Sequence, residues 1–350
     1  MPAHERINAA KRALLRYRTP LSVIISLLLL AIIIFLVGPR EIASSFKKIG
    51  FKAFFLACGV FAASLLCHTL RWSRFINATD YHARFRSLFQ YLLIDKFANA
   101  FLPTAVLGIA ARSWLLNKEY KMPTTTGLAS IVLDYGIDIF GTFLLAAPCY
   151  LFLVDELPRS LQRTFQSSLL FIGIAGVAVF IISSSELFIE RSHYGERIDQ
   201  RTHPRLYRIT HSGLAKKFVE FSRNFALLLG RPRITFETFL LTFGKVILDA
   251  VRVTILFSAF DISVPIYYFI LFDSAWVFLA PLMFTPGGVG VVESGRIALY
   301  SLLPSVSPSI AAPVVFIDRI ISYYLMVLIG GAVFFYRGTS EMMDLDGSPR

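Results

Sequence analysis

Among the ionisable side chains inside apolar stretches of this 350-residue sequence, eight are candidates for a functional site. An ionisable group within a membrane span costs at least about 2.5–3.5 kcal/mol on insertion scales, so it should be paired or face water. Two of the acids, Asp134 and Asp138, are four positions apart and therefore share one face of a helix. So many charges predict a polar cavity between helices. The eight residues are Arg112, Asp134, Asp138, Asp249, Arg252, Glu293, Asp318 and Arg319.

The types of these residues suit the recognition of a phosphate-bearing lipid headgroup. A guanidinium group donates two parallel hydrogen bonds to phosphate oxygens, so we predict that Arg112, Arg252 and Arg319 bind the headgroup. The acids would balance charge or carry protons. The acids concerned are Asp134, Asp138, Asp249, Glu293 and Asp318. The alternative is that all eight side chains form buried salt bridges that only fix the packing of helices.

A stretch rich in proline and glycine, FTPGGVGVVESGR at 284–296, interrupts an apolar region. Proline lacks the backbone N–H, and glycine costs about 1 kcal/mol in a helix interior, so a helix should break here. A broken helix followed by ionisable residues is typical of a transport site near the bilayer midplane. The alternative is a Pro-Gly turn at the membrane surface. The predicted hinge residues, including those of a second break near 103–108, are Pro103, Gly108, Pro286, Gly287, Gly288 and Gly290.

The composition indicates an all-α polytopic membrane protein. Hydrophobic residues make up 55% of the chain and charged residues 17%, against about 25% in soluble domains. The mean hydropathy is +0.63. The net charge of +12 is concentrated between apolar runs, as the positive-inside rule predicts, and this pattern argues against nucleic-acid binding. We expect no cofactor and no metal, because the three cysteines are dispersed and the histidines show no ligand spacing.

The apolar runs predict about six full spans and two helical hairpins broken by Pro and Gly, with both termini in the cytoplasm. The hairpins, 87–117 and 264–303, could be re-entrant or could cross completely. His68 would be an interfacial residue at the end of the second span, and Arg71 would begin a cytoplasmic loop. The predicted full spans are 21–37, 51–70, 125–153, 167–185, 234–259 and 309–335.

The domain organisation that follows is a single transmembrane domain, 21–337, between polar ends. Residues 1–20 form a basic cytoplasmic N-terminus, and 338–350 form a polar cytoplasmic tail. The longest polar stretch, 186–233, is a basic cytoplasmic loop. Its second half, 213–229, has apolar residues at helical spacing, which predicts either an interfacial helix or a solvated linker.

Two parts of the sequence share one pattern. In 84–153, Pro103 breaks an apolar region and Asp134 follows 31 positions later; in 264–336, Pro286 is followed by Asp318 after 32 positions. The charge pattern places the two units in opposite orientations. We therefore predict an inverted repeat, an arrangement that many transporters use for alternating access.

The motif Thr285 to Glu293, followed by Asp318-Arg319, resembles the transmembrane region of lysylphosphatidylglycerol synthases, the flippase-like membrane family. The segments from Asn99 to Arg112 and from Ala129 to Asp138 are similar to two further motifs of that family. The resemblance covers roughly 20–337. It implies a membrane unit associated with moving a modified lipid between leaflets. The sequence ends at Arg350, so we expect no soluble transferase domain and no lysyl transfer.

The predicted function is therefore that of a lipid translocase and not of an enzyme. It would move an anionic, aminoacylated or polyprenyl-phosphate lipid across a bacterial or archaeal cytoplasmic membrane. One alternative is a membrane-embedded enzyme that acts on lipid-linked substrates. Another is a non-catalytic membrane partner of a separate soluble enzyme, which would dock on 186–233. Membrane lipids are the expected partners, with a soluble enzyme or a second copy of the chain as further candidates. The sequence contains no Walker loop, so ATP is not expected to drive the process.

Overall fold

The structure, a computed structural model, describes residues 39–100, 106–174, 213–279, 288–303 and 305–345. Over these ranges the chain is helical and contains no strand, which confirms the all-α prediction. In chain order the helices are α1 (Pro39–Asn77), α2 (Phe85–Asn99), α3 (Val106–Tyr120), α4 (Thr124–Leu153), α5 (159–174), α6 (Gly213–Leu229), α7 (Pro232–Ser258), α8 (Ile266–Leu279), α9 (Val291–Tyr300), α10 (Pro308–Arg319) and α11 (Leu325–Leu345).

Three helical segments among the described residues are long and apolar enough to cross a membrane: Lys47–Asn77, Thr124–Leu153 and Pro308–Arg337. The third joins α10 to α11 through one turn of π-helix, Ile320–Tyr324. Helix α7 has 27 residues, about 40 Å, and is also long enough, but it carries three charged residues in its interior. The predicted span 21–37 lies outside the described residues, and so does the end of 167–185, so a total of six spans stays a prediction.

Each of the two predicted hairpins consists of two short helices. Helices α2 and α3 have 15 residues each, about 22 Å, whereas the hydrocarbon core of a bilayer is about 30 Å thick. Helices α8 and α9 are shorter still, with 14 and 10 residues. No described helix of these two regions is by itself long enough to reach across a bilayer. Residues 101–105 and 280–287, where the breaks are predicted, lie outside the described residues.

Helix α1 extends further than the sequence predicted. The span was expected to end at 70, with Arg71 in a loop, but the helix continues to Asn77 and buries Arg71 and Trp72. The prediction failed because arginine was taken as a marker of solvent. In the structure, two carboxylates on α4 neutralise this arginine, and the apolar residues after it hold the last turns of α1 against neighbouring helices.

The core lies mainly between α1, α7 and the helices beside them. Helix α1 packs along α7, and α10 packs on α1. The outer faces carry large apolar side chains that are largely exposed, among them Phe51 at 74% and Phe152 at 87%. Exposed apolar faces of this kind are expected where lipid replaces water as the solvent.

Residues 213–229 form a helix, α6, and not an irregular linker. It packs on α4: the side-chain amide of Asn224 donates to Thr126 Oγ1 at 3.0 Å, and Leu228 is buried in a cluster with Phe75. Residues 186–212 of the predicted basic loop lie outside the described residues.

Candidate functional site

Asp134 is the hub of a buried polar cluster in the first half of the chain. Its Oδ1 accepts a hydrogen bond of 2.8 Å from Arg71 Nε, and its Oδ2 accepts one of 3.1 Å from Arg112 Nη2. His68 Nε2 lies 3.2 Å from the same Oδ2. Asp134 is fully buried, so two guanidinium groups compensate one carboxylate out of contact with solvent.

Asp318 is the corresponding hub in the second half. Its Oδ1 accepts from Arg252 Nε at 2.7 Å, and its Oδ2 accepts from Arg296 Nη1 at 2.8 Å. Arg296 also donates through Nη2 to Asp273 Oδ1 at 3.2 Å. Helices α7, α9, α10 and α8 therefore meet at one buried carboxylate and its arginines.

The two hubs agree in the atoms they use and in their spacing along the chain. In each, an arginine Nε contacts Oδ1 and a second arginine contacts Oδ2. The second arginine precedes its aspartate by 22 positions in both cases, while the first precedes it by 63 positions in one half and 66 in the other. Such a match indicates two equivalent arrangements within one chain.

Three further charged groups connect the two hubs. Arg71 Nη1 donates to Asp138, and Lys245 Nζ lies 3.2 Å from both oxygens of that carboxylate. Lys245 also lies 3.9 Å from Asp249, which accepts a 2.8 Å hydrogen bond from Arg252 Nη1. The charges of the first half are thus joined to those of the second across the contact between α4 and α7.

The result is a continuous row of ten ionisable groups in which basic and acidic side chains alternate. We call it the ion ladder. Five positive and five negative groups leave it without net charge, and seven helices contribute to it. In order, its members are Arg112, Asp134, Arg71, Asp138, Lys245, Asp249, Arg252, Asp318, Arg296 and Asp273.

The ion ladder is partly exposed at its middle and at the end formed by Arg296 and Asp273, whose side chains are 16% and 20% exposed. The side chains of Asp138, Lys245 and Asp249 are 25%, 20% and 18% exposed. Arg71 and Arg252, on either side of them, are 1% and 4% exposed. A charged group that enters from outside could therefore reach the lysine and its two acids, or the pair of Arg296 and Asp273.

Aromatic and hydroxyl groups support the guanidinium groups of the ladder. The guanidinium carbon of Arg112 lies 3.8 Å from the centre of the Trp72 ring, and that of Arg252 lies 5.0 Å from the Phe61 ring. Thr242 Oγ1 accepts from Arg71 at 3.1 Å, and Ser64 Oγ donates to Asp249 at 2.9 Å. Cation–π contacts and neutral hydrogen bonds offset part of the hydration that the arginines lose on burial.

Glu293 and Arg319 form a separate pair. Glu293 Oε2 accepts from the backbone N–H of Gly290 at 2.7 Å, and its Oε1 accepts from Arg319 Nε and Tyr324 Oη, both at 2.8 Å. The guanidinium carbon of Arg319 lies 4.1 Å from the centre of the Tyr323 ring. This acid thus caps the start of α9 and ties it to the π-helical turn after α10.

Of the eight predicted site residues, six belong to the ion ladder, and Glu293 and Arg319 stand apart from it. The roles assigned to all eight stay predictions. The sequence analysis did not assign five residues that the structure brings to the same cluster: His68, Arg71, Lys245, Asp273 and Arg296. A signal for two of them was present, because Ser64, His68 and Arg71 follow one another at helical spacing on α1.

The predicted hinge glycines fall in two different settings. Gly288 and Gly290 have positive φ angles of 68° and 84°, which an L-residue rarely adopts, just before α9 begins. Gly108 lies in the first described turn of α3, where its N–H donates to Asn99 Oδ1 at 2.8 Å, and its role as a hinge stays a prediction. Pro103, Pro286 and Gly287 lie outside the described residues.

Chemically, the ion ladder can exchange ionic partners. Four of the five cations contact two anions each, so an anion such as a phosphate could replace one carboxylate without leaving the cation unpaired. In the described part of the chain, no group of three or more His, Cys, Asp or Glu side chains is arranged to hold a metal ion.

Comparison with known proteins identifies the family to which the chain is similar. The family model described as the lysylphosphatidylglycerol synthase transmembrane region matches residues 22–330. A UPF0104 membrane protein of Methanothermobacter thermautotrophicus is 27% identical, covering 94% of this chain and 99% of its own length. A UPF0104 membrane protein of Pyrococcus horikoshii is 22% identical over 89% of this chain and 95% of its own. No solved structure matches.

Proposed function

Because the chain belongs to the family of the lysylphosphatidylglycerol synthase transmembrane region, we propose that it is a multi-pass lipid translocase. It moves an anionic, aminoacylated or polyprenyl-phosphate lipid between the leaflets of a bacterial or archaeal cytoplasmic membrane. It does so without covalent chemistry of its own. Membrane lipids are then its partners and its substrates.

The observation that carries this proposal is the ion ladder. Replacing a buried ion pair with apolar residues is often neutral or stabilising, so a row of ten charges is not needed for folding alone. Ionisable groups in membrane segments usually mark the path of a polar substrate. The partly exposed middle of the ladder gives such a substrate a point of entry.

The lipid headgroup exchanges partners with the ladder. Its phosphate approaches Lys245 and takes the place of Asp138 or Asp249 beside that lysine. Arg71 or Arg252 then donates to the phosphate, since each already reaches from a hub aspartate to one of these acids. The acyl chains stay in the lipid around the exposed apolar faces while the headgroup crosses.

The matching hubs support an inverted repeat as the basis of the movement. One unit contains α2 to α4, the other α8 to α11, and each begins with two helices whose described parts have 10 to 15 residues. Two equivalent units of opposite orientation can open to opposite sides of the membrane. The ion ladder joins the two units. When a charged side chain of one unit changes its ionic partner, the electrostatic environment of the charged side chains in the other unit therefore changes too.

The proposal is tested by following lipids in proteoliposomes. The full chain is reconstituted, and the transfer of fluorescent phosphatidylglycerol and of a labelled polyprenyl phosphate between leaflets is measured against protein-free vesicles. We expect at least one of the lipids to cross faster with protein than without. A folded, inserted protein that accelerates neither lipid would overturn the proposal.

In that case the remaining candidates are a membrane-embedded enzyme and a docking partner for a soluble enzyme. Helix α6 is the surface that the partner hypothesis would use. Its exposed residues Lys217 and Glu220 can be replaced together to test for loss of an associated activity. Loss of that activity supports the docking-partner hypothesis, and an activity that survives the replacement contradicts it.

A further inference from the structure

A cavity of about 450 Å³ opens between the start of α4 and helix α6. Its walls include Thr125 and Leu128 of α4 and Lys217, Glu220 and Phe221 of α6. Small-molecule sites in proteins have volumes of about 300–1,000 Å³, so this cavity can hold a ligand of that size. The residues that line it belong to neither hub and to no step of the ion ladder.

The cavity lies where the chain enters the membrane. Helix α4 is long and apolar enough to cross a bilayer, and the cavity borders its first turn. Shortly before α4, Trp114 of α3 is exposed, and the ammonium group of Lys118 lies 4.8 Å from the centre of its ring. Exposed tryptophan and lysine side chains are typical of the boundary between lipid and water. A ligand in the cavity is therefore at the level of the lipid headgroups.

The rim of the cavity carries one basic and one acidic side chain. Lys217 and Glu220 are exposed and three positions apart on α6, so they are neighbours on one face of the helix. Neither forms an ion pair, with the other or with any further residue that the structure describes. Opposite charges at this spacing are complementary to a headgroup that carries both a phosphate and an amine.

A hydroxyl group at the cavity is buried and unsatisfied. Thr125 Oγ1 has no hydrogen-bond partner in the described part of the chain. The neighbouring Thr126 differs, because its Oγ1 accepts a hydrogen bond of 3.0 Å from Asn224 of α6. A buried polar group without a partner costs free energy, which a hydrogen bond to a ligand recovers. A phosphate oxygen in the cavity would accept that hydrogen bond.

An apolar stripe leads from the cavity along α4 towards the lipid. Leu128 lines the cavity, and Val132 and Ile139 follow it four and eleven positions later. These spacings keep the three side chains on one face of the helix. Val132 and Ile139 are 40% and 38% exposed. A ligand with its head in the cavity can lay hydrocarbon chains along this stripe, which favours a lipid over a water-soluble molecule.

We propose that the cavity is a binding site for a zwitterionic phospholipid with a primary amine, of the phosphatidylethanolamine class. The phosphate contacts Lys217 and accepts a hydrogen bond from Thr125. The ammonium group contacts Glu220, and the acyl chains follow Leu128 and Val132. Because α4 and α6 both line the cavity, the bound lipid holds these two helices together. This inference goes beyond the proposed function, because the lipid at this site is not moved between leaflets.

The site is tested on the purified full chain by native mass spectrometry, which counts bound lipids as the protein in detergent micelles is titrated. The probes are dioleoyl phosphatidylethanolamine and dioleoyl phosphatidylglycerol. Both contain a phosphate, but only the first contains an amine that Glu220 can bind. We expect tighter binding of phosphatidylethanolamine. Equal affinity for the two lipids, or a preference for phosphatidylglycerol, overturns the proposal.

Substitution of the lysine ties the binding to this cavity. Lys217→Gln should weaken phosphatidylethanolamine binding about fivefold, the usual contribution of one lysine near a membrane surface. Lys121→Gln is the matched control, because Lys121 is exposed but does not line the cavity, and it should keep the wild-type affinity. Equal affinities of the two variants would show that the lipid binds elsewhere.

Reversal of the acidic charge tests the specificity. Glu220→Lys replaces the partner of the amine by a second cation, so it should reverse the preference in favour of phosphatidylglycerol. Both residues at the rim are exposed, and surface substitutions of this kind rarely affect folding. A preference for phosphatidylethanolamine that persists in Glu220→Lys contradicts the assignment of the amine.

The hydroxyl group is tested by Thr125→Val. This variant should bind phosphatidylethanolamine more weakly than the wild type, yet the lipid-free protein should be no less stable in thermal unfolding, because the hydroxyl has no partner to lose. An unchanged affinity contradicts the position of the phosphate.

A last comparison separates a lipid from a water-soluble ligand. Glycerophosphoethanolamine has the same headgroup without acyl chains and should bind at least about tenfold more weakly than the lipid, since it cannot bury hydrocarbon on the apolar stripe. Equal affinities overturn the lipid as occupant. None of these measurements requires transport. A protein that prefers phosphatidylethanolamine but moves no lipid supports the site and overturns the translocase, and a translocase without this preference overturns the site alone.

Discussion

At the scale of single residues, the aspartates at the two hubs each neutralise two arginines. Asp134 and Asp318 are fully buried, and Arg112 and Arg252 are almost so. Removing one partner of a buried pair leaves an uncompensated charge in a medium of low dielectric constant, which is far more costly than never having had the pair. Substituting either hub aspartate is therefore expected to reduce the stability of the protein strongly.

The exchange Asp318→Asn tests this reasoning. It removes the charge that Arg252 and Arg296 share and keeps the shape of the side chain. We expect the free energy of unfolding to fall by about 3–5 kcal/mol, measured by denaturant unfolding in detergent micelles. The exposed acid Asp155 is the matched control, where the same exchange should change stability by less than about 0.5 kcal/mol. Equal effects at the two positions would contradict the account.

The acids of the site could be predicted from sequence because a carboxylate stands out in an apolar run. Arg71 was missed although it stands at helical spacing from Ser64 and His68, since Arg74 follows it and the two arginines together have the pattern of a loop at the membrane surface. Its burial depends on Asp134 and Asp138, which lie more than 60 positions away. Pairing between distant residues is a property of the folded chain, and no local pattern encodes it.

At the scale of the elements, glycines set how closely neighbouring helices approach. A Cβ atom added at Gly330 of α11 would lie 2.0 Å from the carbonyl oxygen of Leu93 on α2. A backbone atom cannot move aside as a side chain can, so α2 and α11 would have to separate. This contact holds the first broken hairpin against the last long helix.

Gly330→Ala should therefore destabilise the protein by about 1–3 kcal/mol, the usual cost of overpacking. The matched control is Gly59→Ala on α1, where an added Cβ meets nothing within 4 Å. That exchange should be neutral or stabilise the helix by up to about 1 kcal/mol. Thermal unfolding of both variants in the same detergent checks the difference, and a stable Gly330→Ala protein would count against the close contact of α2 with α11.

The elements themselves were largely predictable, because apolar runs bounded by charges and by Pro or Gly determine where long helices begin and end. Helix α4, expected at 125–153, is found at Thr124–Leu153. The interior of the hairpins was less predictable: Gly108, a predicted hinge, lies in the first described turn of α3 and packs closely on Asp95 and Asn99 of α2. A glycine at a break and a glycine at a close contact look the same in a sequence.

At the scale of the whole molecule, the two halves are joined through the middle of the ion ladder. Asp138 on α4 and Lys245 on α7 make this connection at 3.2 Å, and both side chains are only partly exposed. If the two halves are energetically coupled through this pair, the effects of substituting these two residues on the free energy of unfolding should not be additive.

A double-mutant cycle measures this coupling. We expect Asp138→Asn and Lys245→Gln each to lower the free energy of unfolding. The decrease in the double variant should be smaller than the sum of the two single decreases by about 0.5–3 kcal/mol. Denaturant unfolding of the four proteins gives the value. Strict additivity would show that the two halves are not joined through this pair.

The most direct test of the central claim, that the ion ladder carries the lipid headgroup, is the rate of lipid transfer in proteoliposomes containing Lys245→Gln. Exposed Lys52→Gln on α1 is the control, with both proteins shown to be folded and inserted. Our account predicts that Lys245→Gln slows transfer at least about tenfold, equivalent to about 1.4 kcal/mol in the barrier, while Lys52→Gln keeps the wild-type rate. Transfer at the wild-type rate by folded Lys245→Gln would contradict it.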